Sequence, residues 1–124
     1  MITYLELRTE IQRILKTLHP RVFFNVAPDD AVFPYVVFDL PNSVDSGDLE
    51  NYVMDIDVWD TNTDTTTLET LIGTIDNALH RKSIVLGGKM GFVIYRENRL
   101  TLTDDDKRIR RRKYIYQVRT YQEY

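Results

Sequence analysis

The chain has 124 residues, 43% hydrophobic and 28% charged, with a net charge of −3. That size and balance predict one folded domain over residues 1–124 rather than a disordered chain, and they disfavour a dedicated nucleic-acid binder on global electrostatics. Cysteine is absent, which excludes disulfides, thiolate metal sites and a cysteine nucleophile.

No apolar run approaches the roughly 20 residues that span a bilayer, and no basic-then-apolar signal peptide is expected at the start. The charge is unevenly placed: residues 29–64 are acid-rich, whereas residues 107–113 are strongly basic.

Thr3 and Glu6 fit a capping box. Leu7, Ile11, Ile14, Leu15 and Leu18 then recur at spacings of three and four, which predicts an amphipathic helix over residues 3–18. His19-Pro20 stops it, because the residue before proline avoids helical backbone. Residues 21–26 are β-branched and aromatic and predict a short strand, and residues 27–31 a turn. Residues 33–38 are nearly all apolar, as in a strand covered on both faces, with Pro34 tolerated only at its start or at an edge. Residues 41–50 predict a polar loop, and Asp45, Ser46, Gly47 and Asp48 are its candidate contact residues.

The central strand is expected over residues 52–60. Tyr52, Met54, Ile56 and Val58 take one side; Val53, Asp55, Asp57 and Trp59 take the other. A second helix follows, with Leu68, Leu71, Ile72, Ile75 and Leu79 as its stripe and Thr66 with Glu69 as a second capping box. His80, Arg81 and Lys82 suit its C-terminal dipole. Gly73 costs up to about 1 kcal/mol relative to alanine inside a helix, and close packing on the sheet is one reason to keep it.

Residues 84–86 and 92–95 flank a glycine-rich segment, residues 87–91, and predict a hairpin or wide turn. Residues 100–102 are extended, Asp104–Asp106 form a turn, and residues 109–121 form the last strand. There Tyr114, Tyr116 and Val118 share one face, and Arg111, Lys113, Ile115, Gln117 and Arg119 the other. The element order defines an α+β fold: a mainly antiparallel sheet of about four to six strands, with two amphipathic helices covering its faces.

Four segments are candidates for chemistry. Asp55 and Asp57 lie about 7 Å apart on one strand face, with Asp60 nearby, so they could position Mg²⁺ as in a nuclease; the plainer reading is a solvent or interface face. His19 and His80 end helices, where charge complementation outweighs catalysis. The glycine segment lacks the G-x-x-x-x-G-K-[ST] order of a phosphate loop and leads into a strand. Residues 107–113, followed by Tyr114 and Tyr116, have three readings. They pair across strands with Asp55 and Asp57, meet such acids on a neighbouring subunit, or bind nucleic acid by neutralising phosphates and stacking bases.

This layout resembles the small tail-completion, or tail-terminator, proteins of long-tailed bacteriophages and prophages, akin to the lambda tail terminator. The resemblance runs from about Leu5 to Tyr121. It rests on the N-terminal helix, the Phe33-Pro-Tyr-Val-Val-Phe38 strand and the Met54-Asp-Ile-Asp-Val-Trp-Asp60 strand. The Thr-rich helix start and the basic-aromatic last strand complete it.

It implies a non-enzymatic ring, commonly a hexamer, that caps the tail tube, ends its polymerisation and joins the capsid connector. Implied partners are further copies of the chain, the tail tube protein and a head completion protein, with incidental DNA contact, no membrane and no cofactor or metal. The implied location is the virion tail, after assembly in the host cytoplasm. On this reading Asp55, Asp57, Arg110, Arg111, Arg112 and Lys113 form the subunit or partner interface. The alternative is a small nucleic-acid-binding module using Arg110–Lys113 with Tyr114 and Tyr116; a Mg²⁺-dependent hydrolase ranks third.

Overall fold

The computed structural model describes residues 3–46, 49–86 and 90–122. Helix α1 spans Tyr4–Leu18. The Glu6 N–H donates to Thr3 Oγ1 at 3.2 Å, and the Thr3 hydroxyl donates to Glu6 Oε1 at 3.0 Å, so the predicted box closes side chain to side chain. The stripe buries Leu7, Ile11 and Leu15. Beyond the helix, His19 Nε2 donates to the Pro34 carbonyl at 2.9 Å, which ties the helix end to the start of the next long strand.

Strand β1, Val22–Phe24, is shorter than predicted. Asn25 adopts a positive φ of 70° and turns the chain away. Next come β2, Tyr35–Ser46, and β3, Leu49–Asp60. They form one long hairpin, and the ladder from Asn42↔Val53 to Ser46↔Leu49 runs through the stretch predicted as a loop. Polar side chains did not prevent pairing, because the ladder is made by backbone groups. A register shift between Asp39 and Asn42 places Pro41 at a bulge on the sheet's flank, where its missing N–H is tolerated. Of the predicted contact residues, Asp45 and Ser46 therefore belong to β2, and Gly47 and Asp48 lie outside the described residues.

Helix α2 covers Thr66–Leu79 and buries Leu68, Ile72, Ile75 and Leu79. Its predicted capping box does not form. Asp64 Oδ1 instead accepts the Thr66 N–H at 2.9 Å and the Thr66 hydroxyl at 2.6 Å, while Glu69 turns to Arg112. Gly73 is not a close-packing position either, since an added Cβ there would meet no atom within 4 Å.

Strands β4, Ser83–Val85, β5, Met90–Thr103, and β6, Arg110–Gln122, complete the sheet. The two extended pieces predicted between residues 92 and 102 are one strand, with a register shift between Arg96 and Asn98. The six strands lie in the order β1-β2-β3-β6-β5-β4. All neighbours are antiparallel except β1 and β2, which run parallel.

Register and alternation decide the layers. Val36, Phe38, Ile56, Met54, Tyr116, Val118 and Ile94 point to one side and are buried with the helix stripes. Each such large side chain contributes about 1.5–3 kcal/mol on burial. Helix α1 packs by β1, and α2 packs over β3, β6 and β5. Both helices thus cover the same face, and among the described residues neither covers the other. The predicted two-sided burial of residues 33–38 fails for this reason: Val36 and Phe38 are buried, but Tyr35 and Val37 are only half-buried.

Candidate interaction surface on the open sheet face

The uncovered face is read directly from the ladders. One rung crosses β2, β3, β6 and β5 as Tyr35, Trp59, Arg111 and Leu102; the next is Val37, Asp57, Lys113 and Leu100. A third holds Asp39, Asp55, Ile115 and Asn98, and a fourth Asn42, Val53, Gln117 and Tyr95.

The charges at its centre are paired within the chain. Arg111 Nε donates to Asp57 Oδ1 at 2.9 Å, and Lys113 Nζ lies 3.7 Å from Asp55 and 3.9 Å from Asp57. Asp57 is only 8% exposed. Burial pushes the Asp55 carboxyl above its ordinary value, with Lys113 opposing and Asp57 and Asp39 adding to the rise. The Arg111 guanidinium also sits 4.4 Å from the Trp59 ring centroid, and Tyr35 stacks on Trp59 at 6.0 Å and 17°. Burial raises the Tyr35 phenol as well, with Asp104 adding to it and Arg111 opposing.

Residues 110–113 do not form one patch. Alternation sends Arg110 and Arg112 to the helix side, where Arg112 Nε donates to Glu69 Oε1 at 2.5 Å and Arg110 donates to the Lys107 carbonyl. Arg111 and Lys113 alone share the open face with Asp55 and Asp57. Asp60 also parts from these two acids: it is buried on the helix side, and its Oδ1 accepts the Thr61 N–H at 2.8 Å. The three carboxylates therefore do not converge, and no group of His, Cys, Asp and Glu suited to a metal occurs among the described residues.

Both histidines serve the backbone: His19 as described, and His80 by accepting the Arg96 N–H at Nδ1, 2.9 Å away. Gly91 opens β5 against Val85, and residues 87–89 of the glycine segment lie outside the described residues.

One polar cluster went unpredicted. Asp76 accepts from the Tyr116 hydroxyl at 2.7 Å and from Arg96, with Arg99 at 3.9 Å. Its signal was an acid four residues after Ile72 and three before Leu79, at the margin of an apolar stripe.

The open face thus combines paired charges, aromatic rings and aliphatic residues. The family described as "Tail completion protein gp17" matches residues 2–122. The chain belongs to this family: it is a structural component of the bacteriophage tail, located in the virion, and not an enzyme. Among solved structures, a chain of "Virion of native gene transfer agent (GTA) particle" shares the fold, with a TM-score of 0.73 over 90% of each chain at 17% identity. No curated protein matches the sequence.

Proposed function

We propose that the chain forms a ring, a hexamer, that caps the tail tube, ends its polymerisation and presents the surface to which the head connector joins. Assembly takes place in the host cytoplasm. The tail tube protein, a head completion protein and further copies of the chain are its partners. Beyond family membership, the observation that carries this reading is the open sheet face centred on Asp55, Asp57, Arg111 and Lys113. An uncovered face of this kind suits a heterologous contact that closes by rotation. The end of β2 at Asp45 and Ser46 reaches toward the tube.

The nucleic-acid reading has less support, because Arg111, Arg112 and Lys113 all have carboxylate partners and would have to leave them to bind phosphate. Negative-stain microscopy of the protein mixed with tail tubes tests the proposal. A defined ring at one tube end is expected, and bare ends at saturating protein would overturn it.

A further inference from the structure

We infer that copies of this chain join edge to edge. The outer edge of β2 at Asn42–Asp45 in one copy pairs antiparallel with the outer edge of β5 at Arg99–Leu102 in the next. The inference rests on the ring reading and adds to it the joint between copies.

The two long strands that flank the sheet are each only half covered. Strand β1 pairs with β2 at Val36–Phe38, and β4 pairs with β5 at Gly91–Val93. A register shift follows in both, between Asp39 and Asn42 and between Arg96 and Asn98. Beyond it, among the described residues, no strand lies outside either one. Alternation shows what the free halves present, since every second residue of an antiparallel strand turns its N–H and C=O to the same side. Val36 and Phe38 turn theirs outward, to Arg21 and Asn25, and Ile94 turns its own to Arg81 and Lys82. Carried through the ladders, that phase sends the main-chain groups of Ser43 and Asp45 outward from β2. It sends those of Arg99 and Thr101 outward from β5. No main-chain bond among the described residues satisfies them; the Arg99 N–H falls back on Asn98 Oδ1, 2.9 Å away. Asn42, Ser43, Val44, Arg99 and Thr101 are exposed, so neither helix covers these stretches. Such edges are templates for another strand.

The two edges fit each other. Three antiparallel steps separate β2 from β5, so a second copy in the same orientation offers its β2 antiparallel to β5. Setting outward residues opposite outward residues pairs Ser43 with Thr101 and Asp45 with Arg99, the latter a rung of opposite charge. Val44, 57% exposed, then meets Leu100. Both of these lie on the open face, and Ser43 and Thr101 both lie on the helix side, so the rungs match layer to layer. The joint also suits closure. Val44 shares a rung with Arg119 and Leu100 one with Lys113, six residues apart on β6. Each joint therefore steps about 20 Å along the strands for about 19 Å across four of them. That is a strand tilt of about 45°, at the upper end of the range in closed barrels.

Val44→Cys with Leu100→Cys tests the register in a chain that has no cysteine of its own. In the joint their Cα atoms would lie about 4.5 Å apart, within disulfide reach. Inside one chain three strand spacings, about 14 Å, separate them across the sheet alone. Oxidised on tail tubes, the double variant should give a ladder of covalent multimers on a non-reducing gel, and neither single variant should. Rings without that ladder would overturn the joint and leave the ring reading intact. A dimer from Leu100→Cys alone would show two β5 edges paired and overturn the head-to-tail contact. Absence of rings from the wild type would overturn both readings. Thr101→Pro removes an outward N–H that β6 does not use. Its thermal midpoint should change little, while half-capping of tube ends should take at least about 3-fold more protein. Capping by this variant at the wild-type concentration would overturn the joint.

Discussion

Tyr116 Oη donates to Asp76 across 2.7 Å, joining the centre of the sheet to α2. Tyr116 is fully buried, and burial, then the Asp76 bond, raises its phenol well above the ordinary value. Asp76 also accepts from Arg96, so the two ends of the bond are unequal. Tyr116→Phe leaves the carboxylate paired and should cost about 0.5–1.5 kcal/mol. Asp76→Ala strands both a buried hydroxyl and a guanidinium and should cost about 2–4 kcal/mol. Urea denaturation of both variants checks the order; equal losses would refute the hub role of Asp76.

Two glycines should respond in opposite directions. An alanine Cβ at Gly73 meets open space, so Gly73→Ala should stabilise α2 by up to about 1 kcal/mol. At Gly91 it would press on the Ile84 carbonyl and lie 2.6 Å from Tyr121 Oη. Gly91→Ala should therefore destabilise by about 1–3 kcal/mol. Thermal midpoints of the two variants give the comparison.

The Asp57–Arg111 pair separates fold from assembly. Exchanging the charges, Asp57→Arg with Arg111→Asp, keeps a cross-strand pair while reversing its polarity. The exchange also sets the new cation opposite Lys113 and takes the guanidinium off the Trp59 ring, so stability should fall by about 1–3 kcal/mol, and ring formation on tubes by the still-folded variant should fail. Arg112→Glu, by contrast, meets Glu69 on the helix side and should leave the open face unchanged. Rings formed normally by the exchanged variant would remove this pair from the interface.

Acid titration should show two carboxylates moving in opposite senses. The Asp55 pKa is raised in the fold, chiefly by burial. Its contribution to stability is therefore present below the unfolded value of 3.8 and lost as pH rises through the folded value. Asp55→Asn should raise the midpoint at pH 7 and lose that advantage in acid. Asp106 is held at about 2, first by the Arg108 side chain and then by its backbone N–H. Its contribution is present above 3.8 and lost as pH falls through about 2. NMR titration of the Asp106 carboxyl should give that midpoint, and Arg108→Ala should shift it upward.

The core was largely legible in the sequence, because period is a backbone property. The Leu7–Ile11–Leu15 stripe and the even positions of β3 are buried as their spacing predicts. The hairpin through Asn42–Ser46 was not legible, since its bonds belong to the main chain and leave no mark on side-chain polarity. Nor was the parallel pairing of β1 with β2, because alternation within a strand does not name its neighbour. At the candidate site, cross-strand pairing of Arg111 and Lys113 with Asp55 and Asp57 stood among the sequence readings. Choosing it required the β3–β6 register, in which Asp57 faces Lys113 and Trp59 faces Arg111. The separation of Arg111 from Arg112 followed from alternation alone, and treating residues 110–113 as one charged block obscured it.

That alternation makes the basic strand sensitive to length rather than to composition. Deleting one residue between Arg110 and Lys113 would preserve most of the charge. Yet it would move the side chains downstream of the cut to the opposite layer, taking Lys113 away from Asp55 and driving its ammonium toward Glu69 and the helices. Among relatives, substitutions of lysine for arginine here should be common, and single-residue gaps should be rare unless a second gap restores the phase.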